Sequence, residues 1–168
     1  RSRDLGYEGE VDTVYLGCWP RATFERVGGF DEQLVRNQDD EHNLRIRRAG
    51  GRIWQSPRIR STYFPRGRLA QVARQYAQYG YWKPFVIARH GQPAALRHLV
   101  PAAFVLALIA CAVLALGWSA APLAALLLAY GAFLGLALWD MRAAPGIALR
   151  AVAVIAAYHL GYGWGSLR

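Results

Sequence analysis

The segment GGFDEQLVRNQDDEHNLRIRRAGG, residues 28–51, carries more structural information than any other part of the chain. It predicts an α-helix over residues 39–49, with three acidic residues at its start and three arginines towards its end. That distribution suits the helix dipole, because the amino end of a helix is positive and its carboxyl end is negative. The glycine pair after residue 49 predicts the end of the helix, and residues 30–37 before it are predicted to form a loop.

Short secondary-structure elements are predicted on both sides of this segment. Residues 11–17, VDTVYLG, are rich in β-branched and aromatic side chains and predict a buried strand. Thr23 is expected to cap a short helix over residues 24–27, and residues 52–56 predict a second short strand. Residues 69–81 predict a helix with one apolar and aromatic stripe. Such a helix either lies in the membrane interface or packs against a globular core.

The carboxyl-terminal part of the chain is predicted to cross a membrane. Residues 99–116 and 123–139 carry no charge and are long enough to span a bilayer. Residues 147–160 predict a third span that contains Arg150 and His159, and His159 is expected to make a helix–helix contact. Arginines flank the first two spans, whereas the turn between them has none. The positive-inside rule therefore places the charged amino-terminal region in the cytoplasm.

Charge is distributed unevenly along the chain, which has 20 lysines and arginines, 11 acidic residues and a formal net charge of +9. Every acidic residue except Asp140 lies within residues 4–41, and residues 45–97 carry only positive charges. Such a stretch suits nucleic acid, anionic lipid or a phosphorylated substrate. Because it leads into apolar spans, a membrane surface and a lipid phosphate are the expected partners, with no nucleic acid. A simple preference for arginine over lysine explains the same excess without a partner.

Residues 38–41, QDDE, form the densest group of acidic side chains in the sequence. Successive side chains on a helix point about 100° apart, so one or two of them can face a cleft while the others cap the helix or pair with arginine. A partly desolvated carboxylate beside a substrate hydroxyl can accept its proton as a general base. A charge-balanced surface helix is the alternative. No DxD or HxH spacing accompanies the cluster, and Cys18 and Cys111 are isolated, so no metal ligand is assigned.

The motif GGFDE followed by NQDDEHNLRIRRAG resembles the acceptor-side signature of family 2 glycosyltransferases. That signature is a G-G-F-D-E loop followed by E-D-x-D-L-x-x-R-L-R-x-x-G. The resemblance implies that Asp39 is the catalytic base that deprotonates the acceptor hydroxyl. Gln38 stands where the family often has glutamate, and Glu41 takes the place of the second aspartate. Tyr63 lies near the position where many members carry a metal-ligating histidine, which also argues against a metal ligand in this chain.

Three further segments extend the resemblance to the type that acts in exopolysaccharide synthesis, such as succinoglycan biosynthesis. They are VDTVYLGCWPRATFERVGGFDE, GGRIWQSPRIRSTYFPR and RQYAQYGYWK. Enzymes of this type have an α/β GT-A domain, and the resemblance implies that this chain holds its acceptor-side half followed by transmembrane helices. The nucleotide-binding half, with a DxD motif and a divalent cation (Mg2+ or Mn2+), is expected to precede it. The chain alone is therefore expected to be an inactive carboxyl-terminal fragment.

These expectations divide the chain into three regions. Residues 1–68 are the end of the catalytic domain, residues 69–97 are an interfacial amphipathic helix with its linker, and residues 98–168 are the transmembrane helices. The candidate substrate-binding residues are Gln38, Asp40, Glu41, Arg45, Trp19, Gln75 and Tyr79.

Each candidate has a structural alternative. Asp40 and Glu41 either contact the acceptor or orient the helix, and either Arg45 or its neighbour Arg47 is expected to pair with the acidic turn. Trp19 either stacks on a sugar or packs in the core. The resemblance places the side chains in RQYAQYG, Gln75 and Tyr79 among them, near the donor diphosphate or the acceptor, unless they only pack at the membrane interface.

The predicted activity is inverting transfer of a sugar from a nucleotide-sugar donor to a lipid-linked or polysaccharide acceptor. It is expected at the cytoplasmic face of the bacterial inner membrane, with membrane lipids as further partners. A non-catalytic, membrane-anchored module that recruits partners through its basic face is an alternative of a different class. A transporter or channel fragment fits less well, because residues 99–139 lack the functional polar residues of a transport path.

Overall fold

The computed structural model describes residues 6–14, 17–62, 64, 66–91, 93, 95–142 and 144–168. The chain divides into two compact units, the first formed by Arg1–Pro65 with Phe85–Ala94 and the second by Arg66–Pro84 with Ala95–Arg168. The described residues form, in chain order, β1 (Gly9–Val11), α1 (Arg21–Val27), α2 (Gln38–Arg48), β2 (Ile53–Gln55), α3 (Leu69–His90), a 3-10 helix (Leu96–His98), α4 (Val100–Gly117), α5 (Ala121–Asp140) and α6 (Pro145–Ser166).

A small sheet and α2 form the core of the first unit. β1 and β2 pair antiparallel, with Gly9 opposite Gln55 and Val11 opposite Ile53. Val11 and Ile53 are buried together with Ile46 of α2. Complete burial of an aliphatic side chain of this size stabilises a fold by about 1.5–3 kcal/mol. The three side chains therefore hold α2 against the sheet.

The strand predicted over residues 11–17 is wrong in position. β1 ends at Val11, residues 12–14 are not in a strand, and residues 15 and 16 lie outside the described residues. A strand needs a hydrogen-bonded neighbour, and β2 pairs only with residues 9–11. In the described part of the chain no other strand pairs with residues 12–14. Their β-branched side chains therefore do not suffice to form a strand. The second predicted strand, residues 52–56, is confirmed as the shorter β2.

α1 and α2 confirm the two helices predicted around the glycine pair. The cap residue of α1 is Pro20 and not Thr23, which lies inside the helix. The backbone N–H of Thr23 donates to the carbonyl of Pro20 at 2.9 Å, so the first turn already closes there. α1 ends at Gly28, whose φ of 83° suits glycine because it has no side chain to clash. α2 matches the predicted range to within one residue at each end.

α3 is longer than the helix predicted over residues 69–81. It continues through Pro84 to His90 and is followed by Gly91, which has a φ of 70°. A proline inside a helix removes one backbone hydrogen bond and usually kinks or ends the helix. Here Val72 and Val86, on either side of the proline, are both buried, and their packing supports the longer helix. Residues 69–84 belong to the second unit and residues 85–90 to the first.

The aromatic stripe predicted on α3 is covered by α6 within the second unit. The rings of Tyr76 and Tyr158 stack with their centroids 3.9 Å apart. A Cβ atom added at Gly161 of α6 would lie 2.8 Å from the carbonyl oxygen of Ala73. The middle of the stripe therefore packs against another helix of the same unit.

Among the described residues, three helices of the second unit are long and apolar enough to cross a membrane. They cover Leu96–Gly117, Ala121–Asp140 and Pro145–Ser166, with mean hydropathies of 2.8, 2.0 and 1.2. Each contains one of the predicted spans. His159 makes the predicted helix–helix contact, since its Nδ1 lies 3.0 Å from the hydroxyl of Tyr130 on α5.

The described part of the chain is mostly helical, and its only sheet has two strands. The predicted α/β class is therefore supported only by this small sheet and the helices beside it. The predicted membrane-helix part agrees with the second unit in length and composition.

Candidate active site

The first turn of α2 presents the predicted acidic cluster. Gln38 and Asp39 are exposed, Asp40 is half-buried, and Glu41 retains only 1% of its accessible surface. The 100° step between successive helical residues separates the outward face from the inward face. Asp39 therefore faces solvent at the amino end of the helix, whereas Glu41 points into the first unit.

Glu41 is fully engaged by neighbouring side chains. Its Oε1 accepts from Nε of Arg45 at 2.8 Å and contacts Nε2 of His90 at 2.8 Å. Its Oε2 accepts from a terminal nitrogen of Arg45 at 2.9 Å. Burial raises the pKa of Glu41, but the hydrogen bonds from Arg45 and His90 and the positive charge of Arg45 outweigh burial and leave the pKa below its ordinary value. Glu41 is thus a buried, ionised carboxylate held in an internal ion pair.

Arg45 connects Glu41 to the glycine pair before the loop. Its guanidinium donates to the carbonyl oxygen of Val27, to that of Gly28 at 3.4 Å and to that of Gly29 at 2.6 Å. These carbonyls lie at the end of α1 and the start of the loop, so one side chain fixes both relative to the first turn of α2. Of the two arginines expected to pair with the acidic turn, Arg45 is the one that does so.

His42 is completely buried beside this ion pair. Arg45 lies 3.2 Å from its Nδ1, and because arginine only donates, Nδ1 is the acceptor and the neutral ring carries its proton on Nε2. Within the described residues Nε2 has no hydrogen-bond partner. Burial and the charge of Arg45 lower the pKa of His42, and the opposing charge of Glu41 is the smallest contribution. His42 is therefore a neutral, packed ring at neutral pH.

Three aromatic side chains surround His42. Phe24 stacks on its ring at 5.0 Å between centroids, Phe30 lies at 4.9 Å, and Trp19 meets it edge-on at 5.3 Å. The indole N–H of Trp19 donates to Asn43 at 3.2 Å, and the amide of this buried asparagine donates to Thr13 at 3.0 Å. We call Trp19, Phe24, Phe30 and His42 the aromatic cluster. Trp19 was expected either to stack on a sugar or to pack in the core, and the geometry of this cluster favours core packing.

The carboxyl end of α3 closes the same region of the first unit. Arg89 forms an ion pair with Asp31 of the GGFDE motif and also donates to Gln33 at 3.2 Å. Arg48 of α2 donates to the backbone carbonyl of His90 at 2.9 Å and contacts its Nδ1 at 3.0 Å. The loop and α2 are therefore both bound to residues 85–90.

Sequence reasoning missed four residues of this region: His42, Asn43, Arg89 and His90. His42 and Asn43 lie inside the recognised motif. In the sequence, only the aromatic residues near the motif indicated that these two side chains have apolar surroundings. Arg89 and His90 are about fifty positions from their partners, and no local pattern links them to the motif.

Gln75 and Tyr79 lie on α3 in the second unit, not in the unit that contains Asp39. The amide of Gln75 donates to the hydroxyl of Tyr79 at 2.7 Å. Gln75 also lines an open groove of about 390 Å³, which we call the arginine–glutamine groove. Its lining residues are Arg66, Gln71, Arg74, Gln75 and Gln78.

The described residues contain no group of three histidine, cysteine, aspartate or glutamate side chains that would hold a metal ion. Tyr63, which the resemblance places near a metal position, lies outside the described residues. The side chains of the described residues therefore do not by themselves form a site for a divalent cation.

The chain is similar to a protein of exopolysaccharide synthesis. It is 32% identical over 145 residues to the succinoglycan biosynthesis protein ExoA of Rhizobium meliloti (strain 1021). The matched region is 86% of this chain but only 36% of the relative's length. This comparison confirms the resemblance to the succinoglycan-biosynthesis type inferred from the motifs. No family model and no solved structure matches the chain.

Proposed function

We propose that this chain is the acceptor-side and membrane part of an inverting glycosyltransferase of exopolysaccharide synthesis. The observation that carries the proposal is the position of Asp39. It is an exposed carboxylate at the amino end of α2, in a motif shared with family 2 glycosyltransferases, on a turn fixed from behind by Glu41 and Arg45.

In the proposed reaction an acceptor hydroxyl attacks the anomeric carbon of a nucleotide-linked sugar. Asp39 accepts the hydroxyl proton as the new carbon–oxygen bond forms, and the bond to the nucleotide diphosphate breaks on the opposite face, which inverts the configuration. A carboxylate positioned in this way contributes about 10²–10⁴-fold as a general base. Gln38 and Asp40, beside Asp39 on the same turn, would contact the acceptor.

Glu41 and Arg45 have a different role in this proposal. Because both oxygens of Glu41 are occupied and its side chain is buried, it orients the turn and does not bind substrate. Arg45 fixes the glycine pair and the loop after it. A base held to within a fraction of an ångström is more effective than a mobile one, so the ion pair supports catalysis through Asp39.

The arginine–glutamine groove suits the phosphate groups of a lipid-linked acceptor. Two guanidinium groups and three carboxamides offer many hydrogen-bond donors, which favour phosphate oxygens. Asp140 is the only acidic residue in the sequence of the second unit, so little negative charge competes for Arg66 and Arg74. Gln75, with Tyr79 beside it, contributes to this groove.

The proposed enzyme has three further features that do not involve these side-chain contacts. They are a nucleotide-binding half of GT-A type, a divalent cation bound mainly by that half, and a catalytic site at the cytoplasmic face of a bacterial inner membrane. The support for them is the similarity to a succinoglycan biosynthesis protein and the arginine-rich flank of the first span.

Incorporation of radiolabelled sugar into a lipid extract tests the proposal, using membranes that contain the complete protein and a panel of sugar nucleotides. Asp39→Asn keeps the size of the side chain but removes the base, so transfer is expected to fall at least tenfold while expression is unchanged. Glu25→Gln, an exposed change on α1, is the matched control and is expected to keep wild-type transfer. More than a tenth of wild-type transfer with Asp39→Asn would remove this residue from the role of base.

A non-catalytic membrane module remains the second candidate, because residues 45–97 carry only positive charges. It predicts that wild type and Asp39→Asn both fail to transfer any sugar of the panel while still binding anionic vesicles.

A further inference from the structure

The start of α4 and the end of α6 meet in the second unit. The Cα of Gly163 packs against Pro101 and Val105 so closely that a Cβ atom there would overlap the carbonyl oxygen of Pro101. Pro101 is the second residue of α4, and Gly163 lies in the last turn of α6. Whatever membrane depth the start of α4 occupies, the end of α6 occupies the same depth.

α4 and α5 form a hairpin. Only residues 118–120 separate the two helices, and the rings of Phe104 and Tyr130 stack with their centroids 4.6 Å apart. At 1.5 Å per residue, Phe104 lies about 20 Å from the end of α4, and Tyr130 lies about 14 Å from the start of α5. Rings that far from the turn can touch only if α5 folds back along α4.

α6 begins on the side of the membrane where α5 ends. Residues 141–144 connect the two helices. An extended chain covers at most about 3.6 Å per residue, so this link spans less than about 20 Å, whereas the hydrocarbon core is about 30 Å thick. If α4 crosses the membrane and α5 returns, both ends of α6 lie on the side from which α4 started.

A second contact places the end of α6 on that side. Ser166 of α6 donates to the carbonyl of Gly80 on α3 at 3.3 Å, and Tyr158 stacks on Tyr76 of the same helix. α3 precedes the first span in the chain, and its other face carries the polar side chains of the arginine–glutamine groove. The last turns of α6 therefore pack against a helix that has not crossed the membrane.

The composition of α6 agrees with this position. Its mean hydropathy of 1.2 is the lowest of the three candidate spans, and it contains Arg150 and His159. Every residue of α6 from 151 to 159 is half-buried in the structure. The apolar side chains of a helix that only lipid surrounds would instead be exposed when the protein is considered without its membrane. This middle part of α6 is therefore covered by neighbouring helices, as expected for a helix packed between them.

We propose that α6 does not cross the membrane. Only α4 and α5 cross, and α6 lies on the same side as α3, packed between it and the α4–α5 hairpin. The seam with α3 consists of small residues, Ala73 and Ala77 against Gly161 and Gly165, which lets the two backbones approach closely. α6 is thus the surface on which the groove-bearing helix α3 docks onto the membrane hairpin.

Cysteine labelling of the complete protein tests this topology. In a background with Cys18→Ser, Cys111→Ser and every cysteine elsewhere in the complete protein replaced by serine, single cysteines are placed by Ala70→Cys on α3, Ala120→Cys in the hairpin turn and Arg168→Cys after α6, all at exposed positions. A membrane-impermeant maleimide is then applied to sealed vesicles of known orientation. Arg168→Cys is expected to react from the same side as Ala70→Cys, and Ala120→Cys from the opposite side. Reaction of Arg168→Cys from the side of Ala120→Cys overturns the proposal.

Oxidative cross-linking gives a second, independent measurement. The pair Tyr76→Cys and Tyr158→Cys is expected to form a disulfide in membranes, because the two rings stack in the structure. The matched control, Tyr76→Cys with Leu149→Cys, uses an exposed position near the other end of α6 and is expected to stay reduced. Failure of the first pair to cross-link overturns the proposed contact. Both measurements report position and not activity, so they hold whether or not the proposed transfer reaction is correct.

Discussion

Arg45 bonds to three separate parts of the first unit through one planar group. It pairs with the buried Glu41, donates to the carbonyl of Gly29 and lies beside Nδ1 of His42. A guanidinium has five N–H donors in a fixed fork, whereas an ammonium has three donors around a single point. Lysine therefore cannot reproduce these bonds.

Arg45→Lys is accordingly expected to lower the free energy of unfolding of the first unit by about 1–3 kcal/mol, because it leaves buried acceptors with fewer donors. Thermal unfolding of the complete protein in detergent measures the change. Arg47→Lys, at an exposed position on the same helix, is the matched control and is expected to stay within about 0.5 kcal/mol. Equal melting temperatures for the two variants would contradict the role given to Arg45.

His42 predicts a pH dependence of stability. Its pKa in the folded protein lies below the ordinary value of 6.5, so the unfolded chain binds the proton more readily. Stability from this group is complete above about pH 6.5 and falls as the pH drops towards the folded pKa. The lowered pKa of Glu41 acts in the same direction but only below its ordinary value of 4.5. The two groups therefore act in different pH windows.

His42→Phe is expected to remove part of the loss of melting temperature between pH 7 and pH 5. The phenyl ring keeps an aromatic side chain in the cluster and does not titrate, so the variant removes the proton-binding group together with the acceptor for Arg45. The pH slope reports the first of these losses, because the second is the same at every pH. Melting curves at several pH values measure it, and His98→Phe, a change in the second unit, is the control for the other histidines. An unchanged pH slope in His42→Phe would show that this ring does not couple to folding.

At the scale of elements, local signals predicted α1, α2 and β2, because glycines and the order of acidic and basic residues act within a few positions. The strand over residues 11–17 was wrong because strand formation depends on a distant partner. The end of α3 was wrong because packing beyond Pro84 extends the helix. For the same reason Asp39 and Arg45 were recognisable from their motif, whereas the pairing of Glu41 with His90 was not.

The close packing of α3 against α6 predicts that a glycine-to-alanine substitution lowers stability, although such a change within a helix usually raises it. Replacing a helical glycine by alanine normally favours the helix by about 1 kcal/mol. At Gly80 the added Cβ would overlap the backbone carbonyl of Tyr162, so Gly80→Ala is expected to destabilise the second unit by about 1–3 kcal/mol. At Gly135 of α5, apart from the adjoining residues and turns of α5 itself, no atom of the described residues lies within 4 Å of the added Cβ, and Gly135→Ala is the matched control. Thermal unfolding in detergent compares the two, and a Gly80→Ala protein as stable as its control would argue against the seam.

At the scale of the whole molecule, the two units differ sharply in charge. The carboxylates of the chain, apart from Asp140, all lie in the sequence of the first unit, which holds the proposed base. The second unit combines apolar helices with arginines that have almost no acidic neighbours in sequence. A division of this kind suits an enzyme that uses a carboxylate for proton transfer and a basic surface for a lipid-linked phosphate.

This division predicts how charge removal affects the complete enzyme. Arg66→Gln combined with Arg74→Gln keeps polar side chains in the arginine–glutamine groove but removes both positive charges. If the groove holds the acceptor phosphate, the KM for the lipid-linked acceptor is expected to rise about tenfold. A charge-assisted hydrogen bond contributes about 1.5–3 kcal/mol, and exposure to solvent weakens it in this groove. The kcat is expected to change little, because Asp39 is untouched. Arg21→Gln, an exposed change on α1, is the control, and steady-state kinetics with varied acceptor separate the two constants. A fall in kcat at constant KM would instead place the two arginines on the reaction itself.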